Sequence, residues 1–110
     1  MNREISKEEL KKEVINNGSL SLVQFKTEWS GPCQIILPVF EELARSYKGL
    51  VNFFTLDVEK EIGIDSEYGV MELPTILFFR KGEIIDHVTG LLPKATMITK
   101  IENALSSPLN

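Results

Sequence analysis

Thiol and imidazole are both scarce in this chain. Cys33 is the only cysteine and His87 the only histidine among 110 residues. One cysteine excludes an internal disulfide, and one cysteine with one histidine cannot assemble a zinc site within the chain. No cofactor or metal is therefore expected. Long apolar runs are also missing: nothing approaches the roughly 20 residues that a bilayer-spanning helix needs. The first residues, Met1 to Glu9, contain no stretch that resembles a signal-peptide core. These absences predict a cytoplasmic protein without a membrane partner. Basic residues form no stripe, and 12 Lys and Arg against 16 Asp and Glu leave a formal charge of −4. A nucleic-acid partner is not expected, because such proteins need clustered cations to track the phosphate backbone.

The composition that remains is that of an ordinary globular protein, 43% apolar and 25% charged. At this length the chain is expected to form one domain over residues 1–110, large enough to bury a core but not a second one. A monomer is the expected state. Repeats, linkers and low-complexity segments are absent.

Periodicity and punctuation predict the elements. Ser6 and Glu9 make a capping box and Ile5 with Leu10 a hydrophobic staple, so a helix begins at Ser6 and runs toward Asn16, where Asn17-Gly18 stops it. An edge strand around Asn2 to Ile5 precedes it. Ser21 to Lys26 is a strand that delivers Trp29 to its carboxyl end, where open α/β sheets place their sites. A helix from about Pro32 to Lys48 carries the stripe Cys33, Ile36, Leu37, Phe40, Leu43, Ala44, Tyr47, which turns Cys33 inward. Pro38 is expected to bend it. Val51 to Val58 is a strand reached by a right-handed crossover, and Glu59 to Tyr68 a charged, weakly helical connection. Thr75 to Phe79 and Glu83 to Thr89 form a hairpin about Arg80-Lys81-Gly82, and Lys94 to Leu105 closes the chain as an amphipathic helix. Phe53, Phe54, Phe78 and Phe79 are core formers.

One segment carries chemistry. Leu22-Val23-Gln24-Phe25 leads into Glu28-Trp29-Ser30-Gly31-Pro32-Cys33, followed later by Tyr68-Gly69-Val70-Met71-Glu72-Leu73-Pro74-Thr75, by Lys81-Gly82-Glu83 and by Gly90. Over nearly its whole length the chain resembles the thioredoxin family. The resemblance implies an α/β three-layer sandwich, a central mixed sheet between helices in βαβ then ββα order. In that family the motif reads Trp-Cys-Gly-Pro-Cys, the first cysteine attacking and the second resolving the mixed disulfide. Here Ser30 takes the attacking place and Cys33 the resolving place. The family's buried aspartate before the motif corresponds to Gln24, and the lysine that accompanies it is matched to Phe53. Three parts of one catalytic unit are absent together, which argues for natural divergence rather than one engineered change.

Serine needs an adjacent base to act as a nucleophile, and His87 is expected to lie away from the motif in the last strand, facing solvent. Ser30 is therefore read as a helix cap. Cys33 is read as a packed thiol, with a reactive one as the alternative. By resemblance, Trp29, Gly31, Pro32, Leu73, Pro74 and Gly90 flank a peptide groove, with Leu73-Pro74 the cis-proline loop facing the motif. Met71 and Glu72 replace smaller, more neutral residues there. The reading is a thioredoxin-like protein with a degenerate S-x-x-C site that binds a protein or peptide in this groove. The alternatives are a monothiol oxidoreductase acting through Cys33 and a pure binding or scaffold module.

Overall fold

The computed structural model describes residues 3–106. Its elements are β1 (Arg3–Glu4), α1 (Lys7–Leu10), β2 (Ser21–Lys26), α2 (Gly31–Ser46), β3 (Asn52–Asp57), α3 (Ile64–Glu67), β4 (Thr75–Arg80), β5 (Glu83–Thr89) and α4 (Lys94–Ser106). The strands form one sheet in the order β1-β3-β2-β4-β5. β1 and β2 run parallel to β3, whereas β4 runs antiparallel to β2 and to β5. This is the expected mixed sheet, with βαβ followed by ββα. The edge strand occupies Arg3–Glu4; Asn2 lies outside the described residues.

Alternation along the strands makes two cores. Leu22, Phe53, Ile76 and Phe78 turn to one face and pack with Phe40 and Leu43 of α2 and Met97 and Ile101 of α4. Val23, Phe25, Leu56, Leu77 and Phe79 turn to the other and meet Leu10, Val14 and Ile64. A helix layer on each side follows because both faces of the central strands are apolar and neither can be left to water.

The first helix begins as expected: Ser6 Oγ accepts from the Glu9 amide at 3.2 Å, and Glu9 Oε1 accepts from the Ser6 amide at 2.9 Å. After Leu10 it widens into a π-helical turn over Lys11–Ile15, in which the Asn16 amide reaches the Lys11 carbonyl at 3.2 Å. Periodicity does not distinguish this turn from a continuing α-helix. In α2, Pro38 lies on the exposed face and the helix runs through it without interruption. The hairpin differs by one residue from expectation. Arg80 pairs with Glu83 and belongs to β4, leaving a two-residue turn of Lys81 (φ 52°) and Gly82 (φ 80°). Positive φ at both positions matches the right-handed twist of the flanking strands.

α4 fastens α2 in place through its polar flank as well as its core face. The Tyr47 hydroxyl donates to Glu102 Oε2 at 2.6 Å, and Lys94 pairs with Glu42. Burial, reinforced by the Glu102 carboxylate, pushes the Tyr47 phenol up to about 12. A group that holds its proton more tightly when folded stabilises the fold below its ordinary pKa, and that contribution drains away as pH rises toward the folded value. Tyr47→Phe is therefore expected to reduce the loss of stability between pH 10 and 12, read as urea midpoints of both proteins across that window.

A second expectation concerns the turn. A Cβ at Gly82 would lie 3.0 Å from the Ile15 carbonyl oxygen, a backbone atom that cannot rotate away. Positive φ adds strain, so Gly82→Ala is expected to cost about 1–3 kcal/mol. Gly18 has open space around its Cβ direction and no left-handed φ, and Gly18→Ala is expected to be neutral or to stabilise by up to about 1 kcal/mol. Denaturant unfolding of the pair measures both.

Candidate functional site

The motif loop leaves β2 after Lys26 and enters α2 at Gly31. Ser30 stands at the N-cap in extended conformation, and its Oγ accepts from the Cys33 amide at 3.4 Å. A hydroxyl at that position satisfies one of the orphan donors of the first turn. Gly31 and Pro32 follow as exposed residues of the same turn; proline loses nothing there, since its missing N–H would have had no intrahelical partner. Gln34 Nε2 donates to the Glu28 carbonyl at 2.9 Å and closes the loop against the helix. Trp29 is 85% exposed, a surface wall rather than a core aromatic.

Cys33, a free cysteine, is 3% exposed and turned inward. On the face of the sheet that α2 covers, the carboxyl ends of the strands are polar. Gln24 and Thr55 sit opposite each other there and are buried, as is Asp57 opposite Lys26. The register corrects one correspondence drawn from the sequence: the β3 residue beside Gln24 is Thr55, whereas Phe53 pairs with Leu22 in the apolar half. The reason is the parallel alignment of β2 and β3, which sequence spacing alone left two residues out of step. Thr55 is no more a cation than Phe53. Gln24 is fully buried, and neither its Oε1 nor its Nε2 has a hydrogen-bond partner among the described residues.

Leu73 and Pro74 emerge at the same end of the sheet as the motif, because Thr75 at the start of β4 pairs with Phe25 near the end of β2. The Leu73-Pro74 peptide is cis. Pro74 is buried, and its carbonyl accepts from the Gly90 amide at 2.8 Å, which holds the start of β4 against the end of β5. Gly90 has φ +78°, a conformation that glycine adopts at no steric cost. No hydrogen bond of the described residues engages the Leu73 backbone.

His87 is exposed on β5, opposite Leu77. It lines a feature that the sequence did not suggest, an open cleft of about 320 Å³ between the 68–72 loop and β4–β5, with Tyr68, Met71, Glu72 and Ile84 among its walls. β5 supplies the only signal: a strand with one fully buried residue in seven has a face that no helix covers. Among the described residues no group of side chains is arranged to hold a metal ion, and no helix is long and apolar enough to cross a membrane.

A mixed sheet with a capped helix at the end of its central strand and a cis-proline loop beside it defines the class. The Thioredoxin family profile matches residues 2–103. A thioredoxin of Synechocystis is 31% identical over 93% of this chain and 95% of its own length. One of Staphylococcus saprophyticus is 41% identical over 78% of this chain and 83% of its own. A chloroplastic M-type thioredoxin of pea is 39% identical over 81% of this chain. The chain spans about half the length of the M-type relatives, 52% of the pea protein and 47% of the spinach one. The chain belongs to the thioredoxin family.

Burial of Cys33 sets an expectation for its chemistry. Iodoacetamide should modify it slowly in the folded protein and rapidly once the protein is unfolded, followed by mass spectrometry across pH. Fast native alkylation at neutral pH would place it among activated thiols instead.

Proposed function

We propose that this chain is a thioredoxin-family protein with a degenerate S-x-x-C site, which binds an extended protein or peptide segment and does not run a dithiol cycle. The observation that carries the reading is the state of its sulfur. Cys33 is the only cysteine, it is buried, and the oxygen in the attacking place is engaged as a helix cap. In a dithiol cycle the first thiolate attacks one sulfur of the partner disulfide, displacing a partner thiolate and forming a mixed disulfide. A second thiolate then attacks that bond and releases the other partner sulfur. This chain holds no second thiol with which to complete the sequence.

The binding half of the apparatus does not depend on sulfur. Trp29, Gly31 and Pro32 offer an exposed wall, and the unengaged backbone of Leu73 offers a donor and an acceptor beside it. An extended segment pairing there adds a strand by main-chain hydrogen bonds. Pro74 and Gly90 hold the loop that presents Leu73. The cytoplasm is the proposed compartment; a chain with no disulfide to form gains nothing from an oxidising one.

The competing reading is a monothiol oxidoreductase, in which Cys33 forms the mixed disulfide and glutathione or a partner thiol resolves it. It requires Cys33 to leave its buried position. Turnover of a protein disulfide under dithiol reductant separates the two. The wild type is expected to show none above the reductant alone, and Ser30→Cys to gain a slow cycle and an oxidisable dithiol. Wild-type turnover abolished by Cys33→Ala would establish the monothiol enzyme.

A further inference from the structure

Three loops reach the motif end of the sheet: residues 27–30 after β2, 58–63 after β3, and 68–74 ahead of β4. Parallel β2 and β3 and antiparallel β4 make this unavoidable. Each loop carries one large apolar side chain almost wholly in water. Trp29 is 85%, Ile62 82% and Met71 95% exposed, the three highest values of the described large hydrophobics. Burying such side chains is favourable, so three of them at one end of the sheet suit a contact surface.

Each loop also carries a glutamate, Glu28, Glu59 and Glu72, and the middle loop a second, Glu61, whose Oε1 accepts from the Lys7 amide at 2.8 Å. None of the ion pairs among the described residues engages Glu28, Glu59 or Glu72. Lys60 is the one cation in these stretches, and it is already committed to Glu4 at 3.0 Å. The surface is thus apolar and carries an excess of negative charge, since its one lysine, Lys60, is paired with Glu4 and only shares its field with Glu28.

We propose that this end of the molecule selects a basic, apolar polypeptide segment, one in which lysine or arginine alternates with aliphatic residues. The proposal rests on the peptide-binding reading above and specifies its partner. Cationic side chains meet these three carboxylates, and their aliphatic stems cover apolar surface while the charged heads stay near water. A second copy of this chain is the poorer occupant. A two-fold contact through this face sets each carboxylate cluster against its own image, in a molecule of formal charge −4.

Trp29 is the only tryptophan, so its emission reports directly on the surface. Three sulfur-free octapeptides serve as probes: valine alternating with lysine, with serine and with glutamate. The lysine peptide is expected to shift Trp29 emission, and to bind at least about tenfold more tightly than the serine peptide at low salt. Added salt should erode that margin, since exposed charges are screened. The glutamate peptide should not bind. Glu28→Lys with Glu59→Lys and Glu72→Lys should reverse the order, and the single change Glu72→Gln, which perturbs the fold least, should weaken the lysine peptide alone. Equal binding of all three peptides, or a preference for glutamate, overturns the charge selection while leaving the groove standing. No shift with any peptide removes the groove reading as well.

Discussion

The alignment of β2 with its two neighbours is the constraint on which the site depends. Phe25 lies opposite Leu56 in β3 and Thr75 in β4. That single row fixes where the motif loop, the β3–α3 loop and the Leu73-Pro74 loop leave the sheet. A slip of one residue would turn Val23 and Phe25 from one core to the other, so the two apolar faces hold the register far more firmly than the ladder hydrogen bonds could alone. The exposed loops inherit their positions from the buried strands.

α2 converts that alignment into a site. Its apolar stripe is in contact with the sheet through Phe40 and Leu43, and its far end is tied to α4 through Tyr47 and Glu102. With the body of the helix pinned, the first turn has little freedom, and Ser30 completes it by accepting the Cys33 amide. On the reading proposed above, the same oxygen that caps the helix stands in the place of the family's attacking sulfur. That one atom satisfies an amide donor at the start of the helix.

Much of this was legible in the residues. The Ser6–Glu9 capping box, the inward stripe that includes Cys33, and the alternation of β2 through β4 each follow from a local rule that the tertiary structure does not oppose. What was not legible has a common cause, dependence on contacts between distant segments. The π-helical turn at Lys11–Ile15 lies where Gly82 of the hairpin approaches the Ile15 carbonyl. The pairing of Gln24 with Thr55 rather than Phe53 is a property of two strands, and neither strand states it alone. The cleft beside His87 lies on a face of β5 left largely exposed, and how the 68–72 loop meets that face depends on segments distant in sequence.

Gln24 and Ser30 make sense together. A buried carboxylate is costly to ionise unless a cation or several hydrogen bonds compensate it, and the position beside it holds Thr55, which supplies no charge. Where a reactive sulfur must give up and regain a proton, such a group serves a purpose that offsets its cost. On the proposed reading, with Ser30 bonded as a cap in that sulfur's place, the purpose is gone and the cost remains. A neutral amide fills the same space without the ionisation penalty, although its unpartnered atoms still carry the price of desolvation, on the order of 1–3 kcal/mol. On the proposed reading, a neutral Gln24 and a capping Ser30 are thus chemically consistent with each other, while the exposed Trp29 and the Leu73 backbone depend on neither.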